Sequence, residues 1–194
     1  MSRRVLAIVA LVLLSTGCAG RDFKRPALDS LAVGKATEAE IRQRFGTPYQ
    51  EGTVIKNNET MKTLSYAYAT TASSAPGGVV PARRQGFYFW RDVLVGHDFT
   101  SSFPEDKTDF DATKAQQIKK GETTESAVVA LLGPPHGIYT FPLISDKDAR
   151  GAVYLYHETK GSAFYLKLYN QILVVQFDPS GVVKEVEFTA SGQR

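Results

Sequence analysis

The chain has 194 residues, enough for one large domain or two small ones. Hydrophobic residues at 43% and charged residues at 22% are ordinary for a globular protein. The formal charge of +3 falls away with the leader: without Arg3 and Arg4, 21 basic residues face 20 acidic ones, and nothing argues for nucleic acid as a partner.

Residues 1–17 read as a targeting segment. Arg3 and Arg4 form a positive start, and Val5 to Leu14 is an unbroken apolar run of ten residues. As a helix, that run reaches roughly 15 Å, about half the hydrocarbon thickness, and is too short to span. Ser15-Thr16-Gly17-Cys18 follows, small residues leading into the one cysteine of the chain. This resembles the lipobox of a bacterial lipoprotein signal. The resemblance implies that Cys18 becomes the lipid attachment site, the acylated first residue of the mature protein. An ordinary secretory signal with a stray cysteine is the alternative. Ala19 after the cysteine implies, within the lipoprotein family, sorting to the outer membrane. The expected protein is anchored by lipid at the periplasmic face, without an internal disulfide. Residues 18–28 read as a short polar tether.

Next comes a segment that occurs twice, LAVGKATEAEIRQRFGTP (31–48) and IKKGETTESAVVALLGPP (118–135). Gly34 and Gly121, Thr37 and Thr124, Glu38 and Glu125, Gly46 and Gly133, Pro48 and Pro135 are each 87 positions apart. A constant offset over so many positions predicts an internal duplication. Gly34 suits the end of a first short helix. Thr37 suits the N-cap of a second, with Glu40 completing a capping box. Ile41 and Phe45 share a face, and Gly46 and Pro48 stop the helix. The later segment repeats this, but Ala127 stands where the capping box needs Glu or Gln.

Strand-like segments follow each copy. Leu64, Tyr66, Tyr68 and Thr70 alternate with Ser65, Ala67 and Ala69; Tyr154 and Tyr156 alternate with Val153, Leu155 and His157. Phe87–Trp90 turns through Arg91-Asp92 into a further strand, and Val174–Phe177 turns through Asp178 to Gly181 into its counterpart, with the offset growing to 89. The expected fold class is α+β: two tandem modules, each two short helices packed on a three-stranded or slightly larger antiparallel sheet. The modules span 29–102 and 113–191, with a polar linker at 103–112. Between its first two strands each carries an insertion. Residues 71–86 are rich in small residues, proline and glycine. Residues 160–173 are more apolar and suit an extended hairpin, with Phe164, Leu166 and Leu168 on one face and Tyr165, Lys167 and Tyr169 on the other.

The pattern G-x-x-T-E, two spaced apolar residues, G-x-P, a Tyr-x-Tyr strand and an apolar strand resembles the SmpA/OmlA (BamE-like) domain. The Phe177-Asp178 to Gly181 turn of that family stands in the second copy alone. The tandem arrangement is similar to the fold of the β-lactamase inhibitory proteins. What these resemblances imply is a lipoprotein that works by binding outer-membrane or periplasmic proteins. Two roles are implied: an accessory or scaffold in outer-membrane or envelope protein assembly, or an inhibitor-like binder of a periplasmic enzyme.

Signals for catalysis are thin, and the expectation is a protein that is not an enzyme and needs no cofactor, metal or small-molecule substrate. His97, His136 and His157 have no metal-ligand spacing. His97 shares the parity of Val93, Val95 and Phe99 and reads as a hydrogen-bonded core histidine. His136, after two prolines, reads as a solvated loop residue. His157 beside Glu158 is a candidate acid/base pair against a plain strand end. Asp109 and Asp111 begin like a calcium loop, but Lys114 and Lys120 stand where its glycine and glutamate belong.

Aromatics are the remaining signal. Tyr66, Tyr68, Tyr88, Trp90, Tyr154, Tyr156, Phe164 and Tyr165 are the candidate partner-binding residues, because tyrosine and tryptophan dominate interface hot spots. Phe87 and Phe89 lie on one side of their strand, Tyr88 and Trp90 on the other. One side must cover the helices. Whether the other meets a partner or is buried within the molecule stays open.

Overall fold

A computed structural model describes residues 19–71, 76–162 and 165–193. The signal segment, Cys18 and Phe164 lie outside the described residues. Among the described residues nine strands follow one another: β1 (Ala19–Gly20), β2 (Gln50–Lys56), β3 (Glu59–Ala69), β4 (Ala82–Trp90), β5 (Val93–Ser101), β6 (Gly137–Tyr139), β7 (Arg150–Ser162), β8 (Tyr165–Phe177) and β9 (Val183–Gly192). Helix α1 (Glu38–Phe45) precedes β2 and α2 (Glu125–Leu132) precedes β6.

All nine strands belong to one antiparallel sheet, in the order β1-β3-β4-β5-β6-β7-β8-β9, with β2 also on β3. This corrects the expectation of two tandem modules with a small sheet each. The three-residue β6 pairs with β5 on one side and β7 on the other, so the hydrogen-bond ladder runs through the middle of the molecule. Glycine makes that join possible. A Cβ on Gly137 would stand 2.1 Å from the His97 carbonyl oxygen, and one on Gly96 would stand 2.3 Å from Leu143. Left unjoined, β5 and β7 would each present an open edge, a template for unwanted pairing.

Three strands exceed the expected three per half: β1 and β2 in the first and β6 in the second. β2 is almost wholly exposed and lacks an apolar alternation, which hid it from a periodicity reading. It is held by a two-residue hairpin whose Asn57 and Asn58 both have positive φ (50° and 61°), the backbone that a tight right-twisted hairpin requires. Arg91 and Asp92 form the equivalent turn between β4 and β5.

The helix starts and stops follow the capping chemistry. Thr37 accepts from the Glu40 N–H, and the Glu40 carboxylate accepts from the Thr37 N–H at 2.8 Å. Thr124 caps α2 alone. The first member of each expected helix pair is only a 3-10 turn, at Leu28–Ser30 and Ala112–Gln117. Each helix end is then tied to the sheet: the Tyr66 hydroxyl donates to the Gly46 carbonyl at 2.9 Å, and the Tyr154 hydroxyl to the Gly133 carbonyl at 3.0 Å.

Three apolar clusters hold the fold. Under α1 lie Leu64, Tyr66, Phe87, Phe89 and Leu94; under α2 lie Tyr154, Leu173, Val175 and Phe177 with Phe110. The third, Met61, Val95, Tyr139, Leu143, Ile144, Val153 and Val174, sits on the opposite face and draws on both halves. A shared core is a second reason why the halves form one unit. The 103–112 segment is packed rather than an open linker: Phe103, Thr108 and Phe110 are buried. The 18–28 tether is docked where it is described. The Arg83 guanidinium donates to the Phe23 carbonyl, Phe23 meets Phe99 edge-on, and Arg25 donates to the Pro135 carbonyl.

Candidate functional site

Side chains alternate across the sheet, so β3 to β5 and β7 to β8 each send one set toward the helices and the other set to the far face. On the far face of β3, β4 and β5 stand Ser65, Arg84, Tyr88 and Asp98, and the chemistry there is polar. Asp98 is fully buried. It accepts from the Arg84 guanidinium at 2.8 Å, the Tyr88 hydroxyl at 2.7 Å and the Tyr139 hydroxyl at 2.6 Å. Arg84 also donates to the Ser65 hydroxyl. Across the ladder is Gly86, where a Cβ would come to 2.9 Å of the Asp98 carboxylate. The carboxylate therefore needs a glycine opposite it. Asp98 raises the Arg84 pKa further, and burial followed by the Asp98 charge pushes Tyr88 up to about 12 and Tyr139 well above its ordinary value. Both phenols stay donors at neutral pH.

Asp98 reaches this face because of a bulge. Tyr88 pairs with Gly96 and Phe89 with Leu94, so Val95 is an extra residue and the parity of β5 changes there. His97 consequently shares the helix-side face with Leu94 and Phe87, not the face of Val95, which corrects its parity assignment. It is buried, its Nε2 has no hydrogen-bond partner among the described residues, and burial pushes its pKa down to about 4, so the ring is neutral.

Beyond the Arg84–Asp98 hub the sheet curls, and the same face opens as a groove of about 420 Å³. Ala67, Ala69, Ala82 and Thr100 form its floor; Arg84, Leu155, His157, Asn170 and Tyr49 form its sides. The floor is low because β3 and β4 carry alanine here, while the same strands carry Tyr66, Tyr68 and Arg83 on the helix side. A larger cleft of about 960 Å³ runs under the N-terminal segment, but exposed Arg21, Lys24, Gln43 and Arg44 line it. The alanine groove is the better formed site for a ligand with apolar side chains.

Its far wall is held by side chains replacing a strand. β6 begins only at Gly137, opposite Val153, which leaves the next β7 amides on that side without a ladder partner. His136 Nδ1 accepts from the Leu155 N–H at 3.0 Å, and the Thr100 hydroxyl accepts from the His157 N–H at 3.0 Å. Burial, with the Arg25 charge second, pushes His136 down to about 4, so the neutral ring keeps its lone pair on Nδ1. His136 is thus a buried seam residue, which corrects its reading as a solvated loop residue.

The eight aromatic candidates do not gather into one patch. Tyr66, Tyr154 and Tyr156 are buried on the helix side and have no surface to offer. Tyr68 is half-buried and stacks on Phe103, with ring centres 5.7 Å apart. Tyr88 belongs to the Asp98 hub. Trp90 is half-buried: its indole N–H donates to Glu59, and its ring meets Phe141 edge-on under the Arg91 guanidinium. Tyr165 is 69% exposed, and Phe164 lies outside the described residues. His157 and Glu158 point to opposite faces. His157 Nδ1 meets the Asn170 side chain, whereas Glu158 accepts from Tyr156 and pairs with Lys160. Asp109 accepts from Gln171, and Asp111 caps the 3-10 turn through Thr113. Among the described residues no group of three His, Cys, Asp or Glu could hold a metal ion. The groove residues escaped the sequence reading, although one signal was present: the small residues Ser65, Ala67 and Ala69 alternate with the tyrosines.

No protein-family model matches the chain, and no curated protein matches it. The SmpA/OmlA resemblance therefore has no family match behind it. Among solved structures, the chain is similar to a protein of Streptococcus mutans described as a "putative beta-lactamase inhibitor protein", with 15% identity and a TM-score of 0.40 over 80% of this chain and 83% of that chain. A score of 0.40 does not establish a common fold.

Proposed function

We propose that this chain is a lipid-anchored protein on the periplasmic side of the outer membrane, and that it acts by holding a segment of another protein in the alanine-floored groove. The observation that carries the binding role is the groove itself, an open depression of about 420 Å³ on the face the helices do not cover. Alanine side chains let a polypeptide approach the sheet closely, and Tyr49, Leu155 and the Arg84 stem give it apolar contact. The anchor rests on the leader and Cys18. Within this reading an accessory or scaffold role in envelope protein assembly comes first. An inhibitor-like hold on a periplasmic enzyme is second, favoured by Tyr49, an aromatic ring 62% exposed at the side of the groove. Matching ties support an origin of the two halves by duplication: the Gly34 N–H donates to Leu94 and the Gly121 N–H to Val183, each at 2.8 Å.

The test is in-cell photocrosslinking from position 155 in the groove, with exposed Val129 on α2 as control. A barrel-assembly subunit captured at 155 and not at 129, and lost in Ala69→Trp, is the expected result. A single soluble hydrolase in its place selects the inhibitor reading. Identical products from both positions, unaffected by Ala69→Trp, overturn the groove as the binding site.

A further inference from the structure

The described chain starts inside the sheet. Ala19 pairs with Ala69 and Gly20 with Tyr68, so the residue after Cys18 is already a strand residue. A Cβ on Gly20 would stand 2.0 Å from the Ala67 carbonyl oxygen, which keeps this pairing close. Ala19, the next residue after the expected lipid site, is therefore held at one end of the sheet.

The register shows what else is at that end. Ala69 pairs with Ala82, and the Ser102 N–H donates to the Ala82 carbonyl. Asp98, Gly137 and Val153 stand level across β5, β6 and β7, which places Ser102 level with His157. Two further ties join that region to the hairpin: the Thr70 N–H donates to Pro81, and the Val80 N–H donates to Thr159. Val79 bridges Lys160. Ala19 and His157 thus stand level, and β7–β8 continues for five more residues to Ser162, roughly 17 Å at strand rise. On this projecting part Tyr165, Leu166 and Leu168 are 69%, 57% and 51% exposed, the first on one face and the two leucines on the other. Lys167 stands between the leucines.

We infer that this end of the β7–β8 hairpin is a second membrane contact: Tyr165, Leu166 and Leu168 enter the headgroup region of the bilayer that holds Cys18. The inference rests on the lipid-anchor reading above. Tyr165 and Leu166, at the outer end of this projection, reach the depth at which apolar side chains of surface-bound elements sit, roughly 5–10 Å into the headgroup and acyl boundary, while Leu168 stays nearer the surface. Tyrosine suits that boundary, and a lysine beside it extends its amine outward to the phosphates. Apolar residues on both faces of an isolated hairpin suit insertion end-on, where each face meets lipid. Two contacts at one end also fix the orientation of the molecule. The groove, whose His157 and Asn170 lie about five residues from the hairpin end, then opens roughly 17 Å from that end, close to the membrane surface.

Acylation consumes the one native cysteine, so a single added thiol can be labelled in the full, anchored chain. Leu166→Cys and Ile55→Cys, each carrying an environment-sensitive fluorophore, are reconstituted in phosphatidylethanolamine/phosphatidylglycerol vesicles that contain a shallow lipid-borne quencher. Ile55 is 74% exposed beside the Asn57-Asn58 turn, at the opposite end of the sheet. The expected result is co-flotation of both proteins, with about half of the emission quenched at 166 and almost none at 55. Co-flotation with no quenching at 166 overturns the hairpin contact and leaves the anchor reading intact. Equal quenching at both positions also overturns it, because the molecule then lies flat. Failure to float rejects the anchor reading, and the hairpin contact falls with it.

Discussion

On the helix side of the sheet, Tyr66, Phe87, Tyr154 and Phe177 fill the space under α1 and α2, and two of their hydroxyls tie down the helix ends. On the other side the same strands carry Ala67, Ala69, Ala82 and Thr100, and that space stays open. The strand residues most suited to dominate an interface by type are thus spent on packing. The candidate site is built from the smallest residues of the same strands. Residue type alone is a poor guide to exposure, because an aromatic ring serves a core as well as it serves a partner.

This contrast can be broken in several ways, and acid should have the largest effect. His97 on the helix side and His136 at the seam are both pushed from 6.5 to about 4 in the folded chain. The unfolded chain takes up these protons near pH 6.5, whereas the folded one resists until about pH 4. Stability is therefore complete above pH 6.5 and falls as the pH drops toward 4, by about 3 kcal/mol for each ring. Urea midpoints at pH 7 and pH 4.5 measure it, and His97→Leu should remove roughly half of the acid loss. A loss unchanged by that substitution would place all of the sensitivity at the seam.

Next in size is the polar hub of the far face. Asp98→Ala takes away the acceptor shared by Arg84, Tyr88 and Tyr139. Breaking a buried charge pair costs ~3–5 kcal/mol, and the lower end, about 3, applies because the Arg84 side chain is 37% exposed. Denaturant unfolding reads this directly. A cost under 1 kcal/mol would mean that the far face needs no polar anchor. Tyr66→Phe and Tyr154→Phe should each lose about 1 kcal/mol for one hydrogen bond to a helix end. Equal losses would show that the two helices are held alike, although α1 has the fuller cap. Smallest is Ala69→Trp, expected to shift stability by less than about 0.5 kcal/mol because the groove is open, while removing partner capture.

Much of the helix side was legible in the sequence. Thr37 with Glu40, Thr124, and the Gly46 and Gly133 stops are local chemistry, complete within a few residues. The alternation of Leu64, Tyr66 and Tyr68 with Ser65, Ala67 and Ala69 told which residues share a face. It did not tell which face would be covered. The bulge at Val95 is invisible to periodicity, because nothing in VLVGHDF marks the extra residue. It moved His97 to the helix side and brought Asp98 to the hub.

By itself the sequence determined the local elements: the helix caps, the faces of β3 and β4, and the Arg91-Asp92 turn. Each depends on residues close together in the chain. Only the tertiary structure decided that both halves share one sheet, since that turns on three residues of β6 lying between strands β5 and β7. It alone placed the groove, which needs β3, β4, β5, β7 and β8 curled together. The docking of Ala19 against β3 was likewise a long-range pairing. Such contacts join segments tens of residues apart, and their stability comes from close approach and shared burial, which no local pattern records.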